Sequence, residues 1–275
     1  MIGRVWAVAL NTFREAVRDR ILYLLLVVGI GAVAFSKFLG EISVGDHLHV
    51  IVNTGLTAVS LLGVMISVFV GTGLIYKEID KRTVYTILSK PVRRGEFIFG
   101  KYLGLLLTIA VCTGLLSIGF LVYYRAVAGV ADDRATGLLY WMHGGRITVP
   151  LLAALVFIFV EICVVTAVAV MFSSASTPIL SAVLTSIIFT AGRMSTWIPE
   201  YIRELARRGE SGEVKSFFLQ ILYYITPNLS IMDLRDEAVN IGALPGDLAW
   251  RLLYAVSYSV VVLLVATLVF RRRRF

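Results

Sequence analysis

Apolar residues in this chain come in long runs, at about 21–38, 50–76, 97–124, 148–172, 179–194 and 248–270. Nothing else constrains the fold as strongly. A bilayer core of roughly 30 Å is crossed by about 20 apolar residues in a helix. Composition agrees. Hydrophobic residues make up 58% of the chain, the mean hydropathy is +0.85, and 16% of residues are charged, against roughly 25% in an ordinary soluble domain. A soluble fold of 275 residues has no place to bury that much apolar surface. The expected fold is an all-α polytopic membrane protein with about six transmembrane helices. Residues 1–275 form a single transmembrane domain in this reading.

The net charge is +8, but the basic residues sit in short clusters beside the spans. That is the positive-inside pattern of cytoplasmic loops, not a nucleic-acid footprint, so no nucleic-acid partner is expected. The N-terminal segment, residues 77–101 and the four arginines at 271–274 are basic, whereas residues 39–49 contain neither Lys nor Arg. Six spans put both termini and the 77–101 segment on one side. The expectation is an integral protein of the cytoplasmic (inner) membrane with both termini cytoplasmic. Residues 195–247 then lie outside, and their acids outnumber their bases. The hydroxyl-rich turn at 173–178 falls on the cytoplasmic side without a basic residue.

Residues 2–19 read as an interfacial helix. At 100° per residue Val5, Trp6, Ala9, Leu10, Phe13, Ala16 and Val17 share one face, and Arg4, Asn11, Arg14, Glu15 and Arg18 the other. These residues are too charged to be a cleavable signal peptide. Before the last span the chain carries short exterior or re-entrant elements. Residues 199–208 are amphipathic, and 214–226 are apolar but too short to span. Pro227 ends that stretch, and 229–239 is a further short helix.

The stretch most informative about function is 76–101, YKEIDKRTVYTILSKPVRRGEFIFGK. On a helix Glu78, Lys81 and Arg82 share a face, with Glu78 four residues ahead of Arg82 in the favourable order for an ion pair. Ile79, Thr83, Val84, Ile87 and Leu88 form an apolar side. Pro91 biases Lys90 out of the helix, and Arg93, Arg94 and Lys101 follow where the next span begins. Such an element, joined to two spans, suits docking into a cleft of a soluble partner. A basic loop that only sets topology accounts for the same charges.

This stretch resembles the coupling segment of ABC-2 type ABC transporter permeases. There an acidic residue after the second span precedes a Thr-x-x-x-Leu helix, a small residue near Pro, basic residues, and Gly or Lys opening the third span. Glu78, Thr83, Ile87, Leu88, Ser89, Pro91, Arg93, Arg94 and Lys101 match that pattern. The resemblance extends over the whole chain. Pro227-Asn228-Leu229 and Asp233-Leu234-Arg235 look most like the branch containing the permease of nitrous-oxide reductase maturation.

The resemblance implies a permease subunit, usually an exporter, paired with a second copy as a homodimer and with two ABC ATPase subunits. It places the ATPase contact on residues 77–96, at Glu78, Ile79, Asp80, Arg82, Thr83, Ile87, Leu88, Lys90, Pro91, Arg93 and Arg94. The chain has no Gly-x-x-x-x-Gly-Lys-Ser/Thr phosphate loop. ATP and Mg are therefore expected on the partner, with no cofactor and no catalytic residue on this chain.

Glu161 lies in the middle of the fourth run, where an isolated carboxylate is costly. It is a candidate for a pathway or for a helix contact. His47 and His49, beside Asp46, lack a third spaced ligand, so no metal site is expected. Cys112 and Cys163 read as packed residues. Gly100 and Gly104, with Gly71 and Gly73, suggest close packing between the two spans that flank the coupling segment, with a helix-dimer contact as the alternative. Trp6, Trp141 and Trp197 read as belt residues. An ATP-independent secondary transporter would show more broken spans and intramembrane charges. An embedded enzyme would cluster His, Asp and Glu. A membrane-complex scaffold is compatible with the composition.

Overall fold

A computed structural model describes residues 2–42, 47–80, 94–130, 149–207, 226–239 and 244–272. Every described element is helical. Helix α1 (Ile2–Val17) is followed by Asp19, whose carboxylate accepts the Ile21 N–H at 3.0 Å. That is an N-cap for α2 (Arg20–Ile42). The chain bends there by 65°. Helices α3 (His47–Asp80), α4 (Arg94–Val130), α5 (Val149–Ala175) and α6 (Pro178–Arg193) follow. Then come α7 (Trp197–Arg207), a 3₁₀ turn (Leu229–Met232), α8 (Arg235–Val239) and α9 (Leu248–Arg272).

Among the described residues four helices are long and apolar enough to cross a membrane: α3, α4, α5 and α9. The bent pair α1–α2 makes a fifth if it is counted as one span. Each of the six expected runs falls within a described helix, to within a residue at its ends. The one at 179–194 is α6, only 16 residues long and so roughly 24 Å at 1.5 Å per residue.

Helix α5 is apolar around its whole circumference, as an interior helix must be. It sits centrally, against α3, α4, α6, α8, the 3₁₀ turn and α9. Ile162, Val164, Ala167, Ala169 and Val170 are fully enclosed. Outward-facing Leu24, Val27 and Ile30 on α2, and Val256 and Leu268 on α9, are exposed as lipid-facing residues are. Hydroxyl groups inside the bundle are satisfied locally. Thr72, Thr108, Thr113, Thr185, Ser259 and Thr267 each donate to the carbonyl four residues earlier.

The expected packing of the glycines is corrected. Gly100 and Gly104 do not bring α3 and α4 together; they seat α1 on α4. A Cβ on Gly100 would lie 2.7 Å from Val8 Cβ, and one on Gly104 would lie 2.5 Å from the Ala9 carbonyl oxygen. Gly71 makes ordinary contacts with Ala169 and Leu105, and Gly73 has nothing within 4 Å. Ala9, Thr12 and Ala16 of α1 are consequently buried, while Trp6 stays half exposed. The small residues of α1 meet protein and its large aromatic does not, because only glycine opposite them lets two backbones come this close.

Candidate functional site

Three regions bear on function: the ends of the helices flanking the coupling segment, a buried charge cluster, and a groove. Among the sequence candidates Glu78, Ile79 and Asp80 form the last turn of α3, so the span continues into this segment without a break. Arg94 is the first residue of α4. Arg82, Thr83, Ile87, Leu88, Lys90, Pro91 and Arg93 lie outside the described residues, as does His143.

The start of α4 is held tightly. Phe97 and Ile98 are buried, and Phe97 stacks on Phe270 of α9 with ring centroids 5.8 Å apart. Lys101 is 1% exposed, with Nζ 3.7 Å from Glu15 Oε2 of α1 and 5.9 Å from the Phe97 ring centroid. Gly95 faces Thr267 of α9. The first and last described helices therefore both grip α4 where it leaves the coupling segment.

Glu161, 2% exposed, has direct partners from two other helices, and through one of them the cluster reaches a third segment. Its Oε1 lies 3.2 Å from Arg193 Nε at the end of α6, and Ser60 Oγ of α3 donates to Oε2 at 3.3 Å. Arg193 Nη1 donates to Asp233 Oδ2 at 2.7 Å. Asp233 Oδ1 lies 3.6 Å from Arg235 Nε and accepts the Arg235 N–H at 3.2 Å. Two carboxylates and two guanidiniums make the cluster formally neutral, which is the condition for holding charges at low dielectric. Burial lowers the Arg235 pKa, as does Arg193 nearby; Asp233 and Glu161 oppose the shift.

The sequence marked Glu161 but left its partner unnamed. The signal was there in the single Arg193 closing an apolar run and in Asp233-Leu234-Arg235. Their common destination was not, because it depends on how a later segment inserts. Two further hydrogen bonds join α3 and α5 within their otherwise apolar contact. Ser67 and Thr166 hydroxyls lie 2.9 Å apart, and Ser173 Oγ donates to the Thr72 carbonyl at 3.1 Å.

The insertion that supplies Asp233 runs from Thr226. Thr226, Pro227, Leu229, Met232, Leu234 and Ala238 are buried. At 27 residues α5 is roughly 40 Å long, so α6 stops well short of it and this segment fills the space beyond. It packs as part of the bundle. On its other face α6 lines an open groove of about 1370 Å³ with α3 and α7. Val68, Phe69, Ile179, Val183, Ile187 and Trp197 make an apolar floor, and Glu200, Arg203, Glu204 and Arg207 of α7 gather charge at one end. Among the described residues no three His, Cys, Asp or Glu are grouped to hold a metal ion.

A family model described as ABC-2 family transporter protein matches residues 6–274. No curated protein matches the chain.

Proposed function

The chain belongs to the ABC-2 transporter family, and from that premise we propose that it is the exporting permease of a complex driven by ATP hydrolysis on a separate subunit. Membership makes it a membrane-spanning permease subunit with an ABC ATPase as partner. The rest is our reading. Residues 77–96 dock the ATPase on the cytoplasmic side, where both termini also lie. ATP and Mg stay on the partner, and this chain carries no catalytic residue. Two copies pair, and the groove between α3, α6 and α7 is the surface along which cargo moves. Its apolar floor and charged end suit an amphipathic substrate, because a long apolar body and a polar head then each find matching surroundings. The motifs at 227–229 and 233–235 keep the nitrous-oxide reductase maturation branch as our assignment within the family.

The observation that carries the coupling assignment is the continuity of α3 through Glu78 to Asp80, together with the clamp of α1 and α9 on the start of α4. A push on the segment between them has rigid elements to travel through.

The test is gentle purification of the tagged chain from its native host, with ATP hydrolysis measured on what copurifies. A stoichiometric ATPase with vanadate-sensitive turnover is expected. Glu78→Arg with Arg82→Glu should reduce its association while membrane insertion stays intact. A chain that purifies alone and hydrolyses nothing argues for an ATP-independent transporter or a scaffold. Unchanged association in the reversed variant removes the docking assignment.

A further inference from the structure

We propose that the Glu161–Arg193–Asp233–Arg235 cluster is a latch that positions α6, and that it releases and re-forms during each transport cycle. The inference rests on the permease reading and adds to it the contact that moves.

The insertion is held by two different kinds of contact. Towards α5 and α3 it is anchored by apolar burial, through Met232, Leu234 and Ala238, all under 7% exposed. Separating those residues would expose hydrocarbon. Towards the end of α6 the contact is largely polar. Arg193 is shared between Glu161 and Asp233, at 3.2 and 2.7 Å. Just beyond it Ser195 Oγ donates to Asn228 Oδ1 at 2.6 Å and lies 3.1 Å from Ser230 Oγ. Thr196 Oγ1 lies 2.6 Å from Ser230 Oγ. Such groups exchange partners with water at little net cost. Gly192 lets the Pro227 carbonyl and the Leu229 side chain approach to where a Cβ would stand 2.6 and 3.0 Å away, so one apolar contact sits among the polar ones, seated on a residue with no side chain of its own.

A permanent wedge would be better served by apolar residues. Buried ion pairs of this kind are weak stabilisers beside a hydrophobic replacement, and their best-attested use is to select between registers or states. Here Arg193 has two acceptors; when it withdraws, Asp233 keeps Arg235 at 3.6 Å, whereas Glu161 is left with the Ser60 hydroxyl at 3.3 Å, and the cost of that imbalance draws Arg193 back. The helix they pin is short, and its opposite face walls the groove. Releasing Arg193 frees the end of α6, and α7 with it, from the insertion while the α3–α5 core stays packed.

The experiment is a reversible lock. Ser195→Cys with Ser230→Cys, in a chain carrying Cys112→Ala and Cys163→Ala, places two thiols where oxygens now stand 3.1 Å apart, within reach of a disulfide. The complex with its ATPase is reconstituted in phosphatidylethanolamine–phosphatidylglycerol nanodiscs. Oxidation should lower ATP turnover about tenfold or more, as blocking a gating step does, and reduction should restore it. Thr196→Cys with Ser230→Cys provides a second pair if the first folds poorly. Equal turnover in the oxidised and reduced states overturns the latch, as does failure of both pairs to cross-link. A complex with its native serines that hydrolyses no ATP overturns the permease reading beneath it, and that control separates the two failures.

Discussion

Arg193 holds two acids at once, and its loss should be felt more than the loss of either partner. Arg193→Gln leaves Glu161 buried with only a 3.3 Å hydroxyl contact to Ser60, and stranding a buried charge costs about 3–5 kcal/mol. Glu161→Gln leaves Arg193 still bonded to Asp233 at 2.7 Å and should cost clearly less. The double substitution should then be more stable than Arg193→Gln alone, because no uncompensated carboxylate remains in the core. Thermal unfolding of the four proteins in one detergent measures this. Additive losses would mean that the two side chains do not share an environment. The same residues mark how far the sequence could be read. An acid in the middle of an apolar run demands a partner, so the demand was visible at Glu161. Its answer, in Arg193 and Asp233 together, was not, because those residues are far apart in the chain and meet only when the insertion folds back.

Among the helices α1 carries the clearest difference between pattern and packing. Its amphipathic period is that of a surface helix, and Trp6 keeps an exposed position. Its small residues, however, are buried on α4, at Gly100 and Gly104. Gly104→Val should destabilise the protein by about 1–3 kcal/mol, the usual range for overpacking, since the atom nearest the added Cβ is a backbone oxygen, which has no rotamer to escape into. In that background Ala9→Cys, at a site now fully buried, should become reactive to thiol reagents. Gly114→Val on the same helix meets nothing within 4 Å and should leave Ala9→Cys protected. Reactivity unchanged by Gly104→Val would show that α1 is not held there. The glycine spacing was plain in the sequence, but the partner expected from it was α3. Spacing says that a helix admits a close neighbour, and it does not say which one.

Across the whole molecule the expected topology sets the N-terminal helix and residues 195–247 on opposite sides of the membrane. In the cysteine-free background, Glu200→Cys and Asp236→Cys, at exposed positions, should react with an impermeant maleimide added to intact cells. Asn11→Cys should react only after lysis. The reverse pattern would invert the protein. Helix positions, the amphipathic α1 and α7, and the all-helical class were all legible from the order of residues. Each depends on hydropathy, helix period or capping over a few neighbouring residues. The family resemblance was legible for the same reason, because its motif is contiguous. Three features came from folding: α6 ends early beside the longer α5, the 226–239 segment fills the gap and neutralises Glu161, and α1 and α9 close around the start of α4. They depend on which surfaces meet, and contacts between distant segments are chosen by shape and by charge balance within the packed bundle, which no local pattern contains.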